Sequence, residues 1–225
     1  MLKCGDDTLL RRPISLHNVH ADEIELLFSA CETDATAGGA GTRWLSGLTT
    51  GDNLDVIGPL GNGFSIEPST NKILLVAGGI GVAPLKFLAE SAVAMGKSVT
   101  ALMGARTAAG LYPPGRWTQP VKLIQVTEDG SAGVKGMVTE IVSDYITRTD
   151  QVFACGPKAM YETLGKVLKK HNLRLPTQVS LEVRMGCGTG VCYSCSVKTK
   201  QGMKRVCKEG PVFNISDIIW QEVTT

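Results

Sequence analysis

The chain has 225 residues, 43% of them apolar, with 23 Lys and Arg against 21 Asp and Glu. That length admits one large domain or two modest ones, and the apolar share supports a packed core rather than a disordered chain. A net charge of +2 lacks the basic surplus of a nucleic-acid binder, and the longest apolar run, 73–85, is too short and too interrupted by glycine and proline to span a bilayer. No apolar segment of signal-peptide type opens the sequence, so a cytoplasmic protein that needs no membrane is expected.

Residues 1–69 read as short β segments, at 13–18, 23–29 and 53–57, ending in the turn-rich stretch Gly58-Pro59-Leu60-Gly61-Asn62-Gly63. Short strands punctuated by Gly and Pro suggest a fragment of a barrel or sandwich. Residues 70–182 alternate between strand and helix: strands at 73–77, 98–103, 122–126, 151–154 and 178–181, helices at 84–95, 137–145 and 157–170. Such alternation implies a parallel sheet covered by helices. Residues 183–225 form a third piece, rich in Gly and Cys and followed by short polar β-like segments. A region this small needs a staple.

The staple is legible in the cysteines. There are seven, an odd number that fits a disulfide framework poorly. Four of them, Cys187, Cys192, Cys195 and Cys207, follow the spacing Cys-x4-Cys-x2-Cys-x11-Cys. Two irons bridged by two sulfides need two thiolates each, and x4-then-x2 with a distant fourth Cys is the plant-type 2Fe–2S order. A zinc site would more usually show paired knuckles. The alternation of Gly186, Gly188 and Gly190 suits a loop that wraps an inorganic core and turns its amides toward sulfur. Cys4 and Cys31 carry no such spacing and read as ordinary small residues.

Two turns point to a dinucleotide. The run 73–77 is followed by Gly78-Gly79-Ile80-Gly81-Val82-Ala83-Pro84, with Pro84 expected at the first helical position. Strand, glycine turn and helix N-terminus together suit a pyrophosphate, although a close strand–helix packing turn would look the same. Cys155-Gly156-Pro157 closes another strand, again at the carboxyl edge where ligands of open α/β sheets bind. Near the amino end, Arg12 stands three residues before Ser15 on an expected strand, so the two would face opposite sides. An Arg fork matches a pyrophosphate, and a solvated strand arginine is the alternative.

Together, Arg12-Pro-Ile-Ser15, Gly41-Thr42, Gly58-Pro-Leu-Gly-Asn-Gly-Phe64, Gly78 to Pro84, Cys155-Gly-Pro157, Ser180-Leu-Glu-Val-Arg-Met185 and Val206-Cys-Lys-Glu-Gly-Pro-Val-Phe213 occur in one order. That order resembles the electron-transfer subunits of dihydroorotate dehydrogenase B, a branch of the ferredoxin reductase-like flavoproteins. The resemblance implies a multidomain fold: an antiparallel FAD-binding β-barrel over 1–69, an NAD-binding α/β domain over 70–182 and a 2Fe–2S domain over 183–225. Members of that family carry extra amino-terminal residues that form the first barrel strands, so the barrel is expected to be incomplete here. Arg12, Pro13, Ile14, Ser15, Leu27, Phe28 and Ser29 would then bind FAD, with Gly41 and Thr42 near its pyrophosphate. Gly78, Gly79, Ile80, Gly81, Val82, Ala83, Pro84, Cys155, Gly156 and Pro157 would bind NAD, and the four clustered cysteines would hold the metal.

The implied partner is an FMN-containing catalytic subunit that oxidises dihydroorotate in pyrimidine biosynthesis, in a heterotetramer. Nicotinamide exchanges two electrons at once and a 2Fe–2S centre takes one, so a flavin must lie between them. The protein would position cofactors rather than supply an acid or base. A reductase subunit of a sulfide dehydrogenase or transhydrogenase would share the first two domains, and a zinc-binding or redox-sensing module would leave the 78–84 turn unexplained. Arg106, just after the second strand of the α/β region, leaves NAD and NADP both open.

Overall fold

The computed structural model describes residues 1–6, 8–30, 39–117 and 120–223. In chain order the elements are β1 (Leu16–His20), β2 (Glu23–Leu26), α1 (Gly39–Ser46), β3 (Lys72–Gly78), α2 (Val82–Ala94), β4 (Ser98–Ala105), β5 (Val121–Thr127), β6 (Val134–Lys135), α3 (Val138–Ile146), β7 (Gln151–Cys155), α4 (Lys158–Lys170), β8 (Thr177–Ser180), β9 (Ser196–Thr199), β10 (Gly202–Arg205) and β11 (Val212–Asn214). No helix among the described residues is long and apolar enough to cross a membrane.

β3 is apolar on both faces because both are covered. Ile73, Leu75 and Ala77 pack with Val82, Leu85, Ala89 and Ala92 of α2, whereas Leu74 and Val76 pack with Val142 and Ile146 of α3 and Leu164 and Leu168 of α4. The seven strands order as β11-β8-β7-β3-β4-β5-β6. All neighbours are parallel except β11, which returns after the cysteine segment to pair antiparallel with β8, Val212 opposite Ser180. The expected alternation of strand and helix is therefore present, with element ends displaced by one or two residues. Only β6 was not foreseen, being two residues long. Pro84 is not the first residue of its helix. A 3-10 turn over Gly79–Gly81 leads straight into α2 at Val82, which leaves Pro84 in the first turn, where its missing N–H has no partner to lose.

The amino-terminal region holds less sheet than its sequence suggests. β1 and β2 form a hairpin, and Leu2 makes single bridges to Arg12 and to Val56. The segment 53–57 is not a strand beyond that bridge. The segment 13–18 pairs only from Leu16, so Arg12, Pro13, Ile14 and Ser15 precede the strand instead of lying on it. The register explains why 23–29 stops early: Leu16, the first residue of β1, is opposite Leu26, so the described ladder ends there. α1 was not anticipated, and Cys31 lies outside the described residues.

Side chains join the pieces. Gln151, fully buried, accepts from Glu67 N–H and the Thr70 hydroxyl and donates to Ser65 O. Asp150 accepts from the N–H groups of Asn71 and Lys72, which holds its carboxyl below the usual range. Asn62 donates to the carbonyls of Lys208 and Glu209, tying the Gly58–Phe64 stretch to the carboxyl-terminal segment.

Candidate functional site

Three groups of the sequence-nominated residues are brought together by the fold. The first is at the start of α1. Its opening residues, Gly39, Gly41 and Thr42, are buried, and Arg12 lies against them: a Cβ on Gly41 would meet Arg12 Nε at 2.7 Å and Cγ at 3.0 Å. Arg12 Nε is itself buried with no hydrogen-bond partner. A helix N-terminus, a glycine cradle and an unsatisfied guanidinium N–H form a donor set that suits a pyrophosphate. These residues fit the FAD group. Leu27, Phe28 and Ser29 follow β2 rather than lying on it. Leu27 packs toward the α2 side of the sheet, Phe28 toward Leu2, Cys4 and Leu45, and Ser29 is exposed.

The second group is at the carboxyl edge of the parallel sheet, where the 78–84 and 155–157 turns abut. A Cβ on Gly81 would lie 2.0 Å from Cys155 O, and one on Gly78 would lie 2.8 Å from Pro157 Cδ. The packing-turn reading thus holds for those two glycines. Gly79 differs: its φ is +54° and the space before it is open. Ile80 is exposed beside it, and Val82 and Ala83 are buried. Cys155 is buried, which pushes its thiol up to about 12, so it stays protonated and polar chemistry at this turn falls to the backbone.

Two residues of this edge were invisible to spacing. Tyr161 Oη accepts from Gly156 N–H at 2.8 Å and donates to Ser180 O at 2.6 Å, so one buried hydroxyl holds the turn against β8. The other is His17 of β1. Ala83 O can only accept, so Nδ1–H donates to it at 2.9 Å, and Nε2 lies in hydrogen-bond contact with Tyr112 Oη at 2.9 Å. The flavin-side hairpin is thereby fastened beside the glycine turn. A histidine followed by a polar residue on an edge strand carries no sequence mark of such a partner.

The third group is the cysteine loop. Cys187 Sγ accepts from the N–H groups of Thr189, Val191 and Cys192 at 3.3–3.4 Å, and Cys192 Sγ accepts from Cys187 N–H at 3.4 Å. Cys195 Sγ accepts from Cys207 N–H at 3.4 Å. The sulfurs therefore fall into two pairs, Cys187 with Cys192 and Cys195 with Cys207, as two thiolates per iron requires. Among the described residues no three His, Cys, Asp or Glu side chains gather to hold a single ion, and a dinuclear cluster calls for no such convergence. Amide donation, first from Cys192, brings the Cys187 thiol down to about 5, and the Ser194 hydroxyl lowers Cys192. Burial pushes Cys207 up to about 11, a proton that bound metal would displace. This donor set fits a 2Fe–2S group. Gly188 and Gly190 take positive φ, but the Cβ each lacks would meet protein, Met1 at 2.7 Å and Lys208 at 2.8 Å, so they seat the loop on its neighbours.

A parallel sheet with dinucleotide turns at its carboxyl edge, a flavin-type hairpin beside them and a thiolate loop seated on Met1 and Leu60 define an oxidoreductase of the ferredoxin reductase-like class with an added iron–sulfur domain. Comparison with known proteins narrows this. Residues 182–219 match the iron–sulfur cluster binding domain of dihydroorotate dehydrogenase B. The chain is 37% identical over 231 residues to the dihydroorotate dehydrogenase B (NAD(+)) electron transfer subunit of Desulforamulus reducens, covering 98% of this chain and 85% of that one. It is 38% identical to the corresponding subunit of Clostridium acetobutylicum over 97% and 84% of the two chains. Among solved structures, an NADH-dependent reduced ferredoxin–NADP oxidoreductase aligns with TM-score 0.70 and 31% identity over 92% of this chain and 78% of that one. The Amycolatopsis cytochrome P450 reductase aligns with TM-score 0.63 and 27% identity over 76% and 56%. The chain belongs to the family of dihydroorotate dehydrogenase B electron-transfer subunits.

Proposed function

We propose that this chain conducts electrons between a dihydroorotate-oxidising catalytic subunit and NAD⁺, as a cytoplasmic component of pyrimidine biosynthesis. The observation that carries the reading is the division of Cys187, Cys192, Cys195 and Cys207 into two amide-held pairs on a segment seated against the flavin-side loop. Bound FAD and a 2Fe–2S cluster would supply the exchange between one-electron and two-electron transfer. The protein's own part is placement. Arg12 and the start of α1 hold the flavin pyrophosphate, the open face at Gly79 receives the dinucleotide, and Tyr161 and His17 fix the two turns and the hairpin in register. The thiolates hold the cluster where Gly188 touches Met1 and Leu60. Residues 1–69, 70–182 and 183–225 serve as flavin, nicotinamide and cluster units, and the partner carries FMN in an assembly of two copies of each chain.

The buried Cys155 thiol stays protonated, and the dihydroorotate-oxidising flavin belongs to the partner. The isolated chain should therefore reduce dyes with NADH yet leave dihydroorotate untouched until an FMN-containing catalytic subunit is added. Dihydroorotate oxidation by the chain alone would refute the reading. A colourless, zinc-containing protein after anaerobic purification would refute the cluster assignment. The likeness to the reduced ferredoxin–NADP oxidoreductase favours one second reading, a subunit of another NAD(P)H–flavin–iron–sulfur system. Failure of every dihydroorotate-oxidising partner to couple, with intact NADH–dye activity, would select it.

A further inference from the structure

The peptide joining Gly190 to Val191 is held at both ends. Its carbonyl accepts from Arg205 Nη1 at 2.8 Å, and its N–H donates to Cys187 Sγ at 3.3 Å. A trans peptide points its C=O and N–H in opposite directions, so whatever fixes one end aims the other. Arg205 is well placed to be the fixed point. Its Nε and Nη2 both donate to the Glu209 carboxylate, which also accepts from Arg205's own amide at 2.7 Å. Its guanidinium carbon lies 4.9 Å from the centre of the Tyr193 ring, and Tyr193 takes φ +59° between Cys192 and Ser194. The Arg205 carbonyl accepts from the N–H groups of Lys208 and Glu209, opening the turn that carries Cys207. One residue thus links the fourth cysteine's turn to the loop that bears the other three.

We propose that Arg205 is a positioning residue for the iron–sulfur centre: by holding the Gly190 carbonyl it aims the Val191 N–H at Cys187 Sγ and raises the reduction potential. The proposal rests on the reading of the four cysteines as cluster ligands. One-electron reduction makes the thiolate-ligated centre more negative, and an amide donor to sulfur stabilises that form more than the oxidised one. Because Glu209 offsets the guanidinium charge at the same spot, the effect runs through the peptide rather than through net charge. A planar fork suits this role better than an ammonium, since it can face Glu209 and Gly190 together while stacking on Tyr193.

The test uses the full chain, purified anaerobically, as wild type, Arg205→Met, Arg205→Lys and Glu209→Gln. Iron and sulfide are assayed, the midpoint potential is titrated by EPR, and pulsed EPR on 15N-valine protein reads the coupling of the Val191 nitrogen to the reduced centre. Arg205→Met should keep its iron, lose that coupling and shift the reduction equilibrium toward the oxidised form by about tenfold, ~59 mV for one electron. Arg205→Lys should recover the coupling and most of the potential. Glu209→Gln separates the two physical causes. Removing a negative charge raises the potential by Coulomb's law alone, whereas loosening the fork lowers it. A lower midpoint in Glu209→Gln supports the proposal even where Arg205→Met fails to assemble. A raised midpoint there despite loss of the nitrogen coupling, or wild-type potential and coupling in Arg205→Met, overturns it. Absence of iron from the wild type would instead refute the ligand reading beneath it.

Discussion

Replacing Gly81 by alanine tests whether the two dinucleotide turns depend on backbone contact. The new Cβ would lie 2.0 Å from Cys155 O, 2.4 Å from its carbonyl carbon and 2.9 Å from Gly156 N. An ordinary contact is about 3.5 Å, so the start of α2 and the end of β7 must separate by about 1.5 Å. Neither side can yield easily: Val82, Ala83 and Cys155 are buried, and the obstacle is main chain rather than a flexible side chain. Overpacking of this kind costs roughly 1–3 kcal/mol, and backbone overlap puts Gly81→Ala at the upper end. At about 2–4 °C per kcal/mol for a chain of this size, the melting temperature should fall by roughly 6–12 °C. Misplacing the turn by over an ångström should also reduce NADH-dependent dye reduction by about 100-fold. Gly79→Ala is the control. Nothing stands within 4 Å of its Cβ, and only the +54° φ opposes it, a penalty of about 1–2 kcal/mol. It should melt closer to wild type while raising the KM for NADH. Wild-type melting and NADH kinetics in Gly81→Ala would refute the reasoning.

Three further outcomes are expected. Arg12→Leu removes the guanidinium whose buried Nε has no partner beside α1 and should weaken FAD binding about 10- to 100-fold in a fluorescence titration, the worth of a hydrogen bond to a charged group; unchanged affinity would mean that the flavin pyrophosphate lies elsewhere. Cys192→Ser should lose most of its iron, read by metal analysis and visible absorbance, and full retention would remove Cys192 from the ligand set. Asp150 has its pKa lowered by the N–H groups of Asn71 and Lys72, so its contribution is present above the unfolded carboxylate pKa and fades as pH falls through the folded one. The gap in melting temperature between wild type and Asp150→Ala should therefore be open at pH 7 and shrink below about pH 4, and a gap independent of pH would contradict that origin.

The parallel sheet was legible because its signals are local. Residues 73–77 are apolar at every position, and a strand that is buried on both faces needs just that. The cysteine spacing was legible for the same reason, since one short loop supplies three of the four sulfurs. α1 was not, because Gly39-Ala-Gly-Thr42 has weak helix propensity and reads as a turn. It is stabilised instead by burial of Leu45 with Leu2 and Cys4. The strand at 53–57 failed in the opposite sense: its alternation is fair, but its pairing with residues 1–3 amounts to one bridge, Leu2 with Val56. His17 and Tyr161 escaped notice because their roles come from contacts with Tyr112 and Ser180, both distant in sequence, and Arg205 reads in the sequence as one of several basic residues of a solvated face, its bond to Gly190 O being equally non-local.

The antiparallel return of β11 alters how the cysteine loop comes to exist. The chain leaves the sheet at Ser180, makes the whole thiolate excursion and rejoins the same sheet edge at Val212. Both ends of the excursion are thus clamped by ladder hydrogen bonds, and the closure entropy of a long loop is met by folding of the sheet rather than by metal. The sheet therefore sets the rim of the loop on which Cys195 Sγ accepts from Cys207 N–H. Fraying β11 would loosen that rim and uncover the edge of β8 in one event, so loss of the cluster and exposure of a sticky strand become the same failure.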